Sequence, residues 1–209
     1  MSEQSPRPRR PALSGDLARL VDAEEDLSSW PRSELAAATA AAVVSAGRAL
    51  AGSPEVDAER FVTLADEVGL DTMAELWRDA EPDSLPGALW TLYLLRTWCR
   101  TDADEVARLW RAGRSLAPAD EVVAGVSDDG GPEAIAELAD AVLAGAYRSD
   151  FAVALERAAS FFRVIAAGRR MTTPDGPDGA PARERAERNE RAADGLASAA
   201  ARWRAGDFD

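Results

Sequence analysis

The chain contains no histidine and no lysine, its only thiol is Cys99, and all 24 basic residues are arginine. Histidine is the usual general base near neutral pH and the commonest metal ligand, so Ser-His-Asp triads, Cys-His dyads and histidine-ligated zinc sites are excluded. The absence of lysine removes Schiff-base catalysis and the P-loop. A single cysteine cannot form an internal disulfide, which excludes a secreted disulfide scaffold. We therefore expect a protein that is not an enzyme and that uses no cofactor and no metal.

Long apolar runs and an excess of cations are also missing. No apolar run reaches the roughly 20 residues that a membrane span needs, and no apolar run follows the N-terminal arginines as a signal peptide would require. The chain has 37 acidic residues against 24 basic ones, a net charge of −13. Such a surface repels nucleic acid and anionic lipid on average, although a local basic patch stays open. The sequence predicts a cytoplasmic protein without membrane association.

Apolar residues recur at helical spacing along most of the chain, and no segment alternates as a half-buried strand would. The pattern predicts an all-α fold, a single multi-helix bundle of about eight helices over residues 13–170. A disordered tail (1–12) precedes it. A Pro/Gly/Asp linker (171–181), a tethered C-terminal helix (182–204) and a short tail (205–209) follow it. The segment 85–101 is apolar nearly all round, which is typical of the central helix of a bundle. Asp102 and Glu105 form a capping-box pattern for the next helix.

A segment that resembles a helix-turn-helix spans residues 61–77. It has a small residue, Ala65, then Gly69 at the turn and polar residues that begin the second helix. The surface of that second helix would show Asp71, Glu75 and one cation, Arg78, and carboxylates that face phosphate weaken binding. The pattern fits two core helices joined by a glycine turn equally well. A DNA-associated regulator is therefore an alternative function.

Arginines concentrate in the segment 96–114, which contains five of them and only three acidic residues. Helical spacing places Arg96 with Arg100 on one helix, and Arg108 with Arg111 on the next. Guanidinium forks suit phosphate and carboxylate groups, so these four residues are candidate anion contacts and a small anionic ligand is a second alternative function. The competing interpretation is that these arginines pair with acidic residues of the same chain.

Two acidic sets lie at helical spacing, but their order does not match a helical metal site, and we interpret both as solvated faces. The sets are Glu133, Glu137 and Asp140, and then Glu184, Glu187 and Glu190. Cys99 adjoins a tryptophan on an apolar helix, which favours a buried structural thiol over a nucleophile.

The C-terminal helix carries a narrow seam of small residues in which Leu196 and Trp203 are the only large side chains. We expect this seam to pack either on the bundle or on a partner, which makes Leu196 and Trp203 candidate partner-docking residues. With no catalytic side-chain set in view, the sequence favours a non-catalytic helical interaction or regulatory protein. It would act through contacts with a protein partner or through self-association.

Overall fold

The structure is a computed structural model that describes residues 31–51, 76–126, 130–148 and 151–208. These residues form seven α-helices and, among them, no strand, which confirms the predicted all-α class. Predicted helices that fall before residue 31 or between residues 52 and 75 lie outside the described residues. The helices are α1 (Arg32–Ala51), α2 (Leu85–Thr101), α3 (Ala103–Gly113), α4 (Pro118–Ala124), α5 (Pro132–Arg148), α6 (Phe151–Thr172) and α7 (Ala180–Ala205).

Local signals fix several helix ends where the sequence predicts them. At the start of α2 the Ser84 hydroxyl accepts a hydrogen bond from the Gly87 N–H at 3.2 Å, and Pro86 lies in the first turn. Both features favour a helix start, because the hydroxyl satisfies one orphan donor and proline has none to lose. The prediction of a capping box at the start of α3 is wrong. Asp102 makes no side-chain cap hydrogen bond, and Glu105 accepts a hydrogen bond from Arg169 of α6 instead.

Helix α6 buries more residues than α2, the segment predicted to be central, although each of the two contacts five other described helices. Helix α6 contacts α2, α3, α4, α5 and α7. Along α2, by contrast, Leu94 is exposed and Trp90 and Trp98 are only half-buried. The buried face of α6 mixes alanines with larger side chains. The alanines include Ala154 and Ala158, and the larger residues include Phe151, Leu155, Phe161, Phe162, Val164 and Ile165. Small side chains let several helices pack close to the axis of α6. The burial of α6 therefore depends on the size of its side chains more than on their hydropathy.

Helices α3 and α6 cross at a pair of glycines. A Cβ atom added at Gly113 would lie 2.6 Å from the Gly168 nitrogen, and one added at Gly168 would lie 2.9 Å from the Leu109 carbonyl carbon. These neighbours are backbone atoms, which cannot rotate away as a side chain can. The crossing therefore requires glycine at both positions.

The C-terminal helix α7 is part of the bundle and packs antiparallel on α6. Ala186, Ala193, Leu196, Ala199 and Ala200 are buried along one face. Ion pairs join Arg170 to Glu190 and Arg204 to Glu156 between the two helices. The connection is residues 173–179, shorter than the predicted linker, and Arg183 donates to the Pro174 and Gly176 carbonyls across it. The helix is thus held by apolar packing and by charge, and its connection is closed by hydrogen bonds.

Among the described residues, no helix is both long enough and apolar enough to cross a membrane.

Candidate functional site

The first group of arginines closes on one carboxylate. Arg96 and Arg100 lie one turn apart on α2 and reach Asp140 on α5. The Arg96 Nε donates to Asp140 Oδ1 at 2.9 Å, and the Arg100 Nη2 donates to Oδ2 at 2.8 Å. Both carboxylate oxygens therefore accept a charge-assisted hydrogen bond, the stronger kind. This set, which we call the Asp140 pair site, joins α2 to α5.

Electrostatics at the Asp140 pair site favour the ionised carboxylate and the protonated thiol beside it. Partial burial raises the pKa of Asp140, but hydrogen bonds from Arg100 and Arg96 and their charges outweigh it, so the pKa lies below its ordinary range. Burial, helped by the Asp140 charge, raises the pKa of Cys99 to about 12. The buried thiol stays protonated near neutral pH and is a poor nucleophile, which matches the structural role predicted for it.

A second arginine site is centred on Arg169, whose side chain on α6 is 10% exposed. Its Nε donates to the Asn189 amide oxygen of α7 at 3.1 Å, and its Nη1 donates to Glu105 of α3 at 3.3 Å. The guanidinium carbon lies 5.2 Å from the centroid of the Trp98 ring on α2. One arginine thus connects four helices.

Two further arginines lie on the helix faces that Arg169 contacts. Arg108 follows Glu105 by three residues on α3, and Arg185 precedes Asn189 by one turn on α7, so each shares the face of an Arg169 partner. Both are exposed, and neither forms a hydrogen bond or an ion pair with any residue that the structure describes. We call these residues, with Arg169 and Glu105, the Arg169 cluster.

Charge in the Arg169 cluster is unbalanced, with three guanidinium groups and one carboxylate. Burial lowers the pKa of Arg169, Glu105 opposes this shift, and repulsion from Arg185 and Arg108 adds to it, so the pKa lies below its ordinary value. Counted over its own four residues, the cluster carries an excess of two positive charges in a chain of net charge −13.

The structure separates the four arginines predicted as anion contacts. Arg96 and Arg100 bind Asp140, Arg108 lies in the Arg169 cluster, and the Arg111 Nε donates to the Ala107 carbonyl of its own helix at 3.3 Å. Sequence reasoning missed Arg169, because its contact with Glu105 spans 64 residues and no local pattern reveals it.

Large exposed apolar side chains concentrate at the short helix α4. Leu116, just before it, is 56% exposed, and Val122 and Val123 within it are 79% and 48% exposed. The other large exposed apolar side chains among the described residues are Leu94, Val153 and Met171, on the long helices α2 and α6. We call Leu116, Val122 and Val123 the α4 patch.

A cleft of about 490 Å³ lies between the start of α1 and residues 76–86. Its apolar walls include Ala36 and Ala37 on one side and Leu76 and Leu85 on the other, and Phe208 contributes from the C-terminal end. The charged residues that line it are balanced in sign: two are arginines, Arg32 and Arg202, and two are carboxylates, Asp79 and Glu81.

The two predicted partner-docking residues both pack within the chain, Leu196 fully and Trp203 in part. Leu196 is fully buried in the core of its own chain. Trp203 packs against Phe151 with ring centroids 4.7 Å apart, and against Phe208 at 5.7 Å. The seam was identified correctly, but it is the α6 helix that covers it. Of the two packing modes predicted for the seam, the structure shows the one on the bundle, and partner docking through these residues stays a prediction.

The acidic sets and the segment that resembles a helix-turn-helix add no site to the described residues. There, no three His, Cys, Asp or Glu side chains come close enough to hold a metal ion. Glu184 pairs with Arg188 at 2.9 Å, and Glu190 pairs with Arg170. Residues 61–75 lie outside the described part of the chain; Trp77, at the end of that segment, is buried, and its indole N–H donates to the Thr39 hydroxyl at 3.0 Å.

Comparisons with protein-family models, with curated proteins and with solved structures find no match to this chain.

Proposed function

We propose that this chain is a non-catalytic interaction protein that binds a partner protein through the α4 patch. The observation that carries the proposal is the exposure of Leu116, Val122 and Val123 within eight residues of sequence. Single exposed apolar side chains are ordinary, whereas several on one short segment favour a protein contact. Burying one large apolar side chain contributes about 1.5–3 kcal/mol of binding free energy. Three such side chains therefore offset part of the entropy cost of association.

Arginines of the same chain hold α4 in place. Arg157 of α6 donates to the Ala124 carbonyl at 3.1 Å, at the last residue of the helix. Arg163 reaches Asp120 at 3.5 Å, and Arg114 reaches Glu121 at 3.7 Å. The short helix is thus fixed before any partner arrives, which lowers the entropy cost of binding. The paired acidic residues also reduce the charge that an apolar partner surface would meet.

Side-chain chemistry supports the non-catalytic part of the proposal. The chain has no histidine or lysine, and burial raises the pKa of its only thiol to about 12. The arginines and carboxylates at the Asp140 pair site hold one another, which is a structural use of charge.

A crosslinking residue placed at the exposed position Ala119, in the first turn of α4, tests the proposal. The captured partner is purified, and its Kd is measured against the wild type and two variants. Leu116→Glu with Val122→Glu should weaken binding at least about tenfold, because the charges must lose water in the interface.

The matched control is Leu94→Glu with Met171→Glu, which adds the same charge at exposed apolar positions that are not part of the α4 patch. It should change the Kd by less than about twofold. Equal weakening by both variants would show a charge effect, and no weakening by either would place the interface elsewhere. A second copy of the chain as the captured partner would make the interaction a self-association, which sedimentation would show as a dimer that the first variant dissociates.

A further inference from the structure

We infer that the Arg169 cluster is a binding site for a phosphate group of a small molecule. The inference goes beyond the proposed protein interaction, because the cluster lies where α2, α3, α6 and α7 meet and the α4 patch contributes nothing to it.

Rigid support for a site comes from Arg169. Its contacts with Asn189 and Glu105, at 3.1 and 3.3 Å, use Nε and Nη1. Nη2 makes no hydrogen bond to a described residue and is not a buried donor, so it remains open to water. The Trp98 ring packs against the guanidinium, with its centroid 5.2 Å from the guanidinium carbon. An incoming oxyanion therefore meets a donor whose direction is already set.

Capacity for a ligand comes from Arg108 and Arg185. Each is exposed and without a hydrogen-bond or ion-pair partner among the described residues, and each lies beside a residue that contacts Arg169. Their side chains are long enough to turn toward a ligand without breaking any described contact. Arginine forks match the oxygens of a phosphate group.

Charge balance selects the ligand class. Three guanidinium groups and Glu105 leave an excess of two positive charges, and a phosphate monoester carries close to two negative charges at neutral pH. A phosphate group also offers three oxygens to three arginines, whereas a single carboxylate offers two. The Asp140 pair site shows the contrasting case, in which the chain itself supplies the anion.

Melting curves in increasing inorganic phosphate, against chloride at equal ionic strength, test the inference. The wild type should show a saturable rise in Tm, about 3–6 °C at ten times the Kd. Arg108→Gln with Arg185→Gln should lose the saturable part while melting unchanged in chloride, since neither residue has a described partner to lose.

The matched control is Arg111→Gln with Arg188→Gln, which removes the same charge from the same two helices outside the cluster. It should keep the saturable rise. Phosphate also stabilises proteins generally by exclusion from their surface, but that effect is not saturable and acts on all variants alike. Equal responses of the two double variants would overturn the inference, because bulk charge would explain both. A wild type without a saturable rise would overturn it as well.

Discussion

Two helix junctions in this protein use arginine in opposite ways. At the Asp140 pair site, α2 and α5 are joined by two arginines that share one carboxylate, and every partner comes from the chain. At the Arg169 cluster, α3 and α6 are already brought together by the backbone contact of Gly113 with Gly168. The arginines there exceed their carboxylate. Arg169 is paired with Glu105 there as well, but Arg108 and Arg185 have no described partner, so the two junctions differ in whether the chain occupies all of their arginines.

Substitution of Gly168 by alanine should give the largest effect, because it attacks the packing on which the second junction depends. The added Cβ would lie 2.9 Å from the Leu109 carbonyl carbon, so the helices must separate. We expect a loss of about 3 kcal/mol or more in the free energy of unfolding, measured by urea denaturation.

Gly145→Ala is the control for this change, because its Cβ would meet only the Ala154 Cβ at an ordinary 3.7 Å. The control should be neutral or up to about 1 kcal/mol more stable, since alanine favours the helix. A tolerated Gly168→Ala would mean that α3 and α6 lie farther apart than described here.

Asp140→Ala should give the next largest effect, because it leaves the buried Arg96 without this carboxylate. Breaking a fully buried pair costs about 3–5 kcal/mol, and the 32% exposure of the Asp140 side chain reduces that to about 2–3 kcal/mol. Glu184→Ala, which removes an exposed pair with Arg188, should cost less than about 0.5 kcal/mol. Equal costs for the two substitutions would show that the Asp140 pair site has no special structural weight.

Low pH should remove the contribution of Asp140 to the free energy of unfolding. Its pKa in the folded protein lies below the ordinary aspartate value near pH 4, so its stabilising effect is complete above that value. The effect is lost as the pH falls through the folded pKa, because protonation then favours the unfolded chain. The difference in unfolding free energy between the wild type and Asp140→Ala should therefore be constant from pH 5 to 7 and shrink below about pH 4. A difference that persists at low pH would mean that Asp140 acts by packing alone.

The smallest effect is expected at the edge of the Arg169 cluster. Arg108→Gln and Arg185→Gln should each change the free energy of unfolding by less than about 0.5 kcal/mol, because neither side chain has a described partner. A slight gain in stability fits the account, since each substitution removes repulsion from Arg169. A loss above about 1 kcal/mol for either would show that the arginine is held within the chain, and the contrast between the junctions would fail.

Helix ends were predictable from the sequence where the signal is local. Ser84 and Pro86 mark the start of α2, and the observed helix spans the predicted residues 85–101. Enclosure was not predictable in the same way, because alanines on α6 contribute little hydropathy but allow close approach of its neighbours.

The candidate sites were only partly predictable. The five arginines of segment 96–114 stood out by their density, but Asp140, which binds Arg96 and Arg100, lies on another helix. Glu105 fits a capping box within its own helix, yet it contacts a residue 64 positions away. Exposure at Leu116, Val122 and Val123 likewise depends on how α4 rests on α6, which no periodicity in so short a helix reveals.

We propose that Asp140 occupies Arg96 and Arg100 at the first junction, whereas Arg108 and Arg185 at the second are open to a ligand. Nitrogen-15 NMR of the arginine Nε–H groups during a phosphate titration tests it most directly. The Arg108 and Arg185 resonances should shift and saturate, while the Arg96 resonance should remain in place because its Nε is bound to Asp140. Saturable shifts at Arg96, or unmoved Arg108 and Arg185 resonances up to phosphate concentrations that raise the Tm, would contradict this contrast.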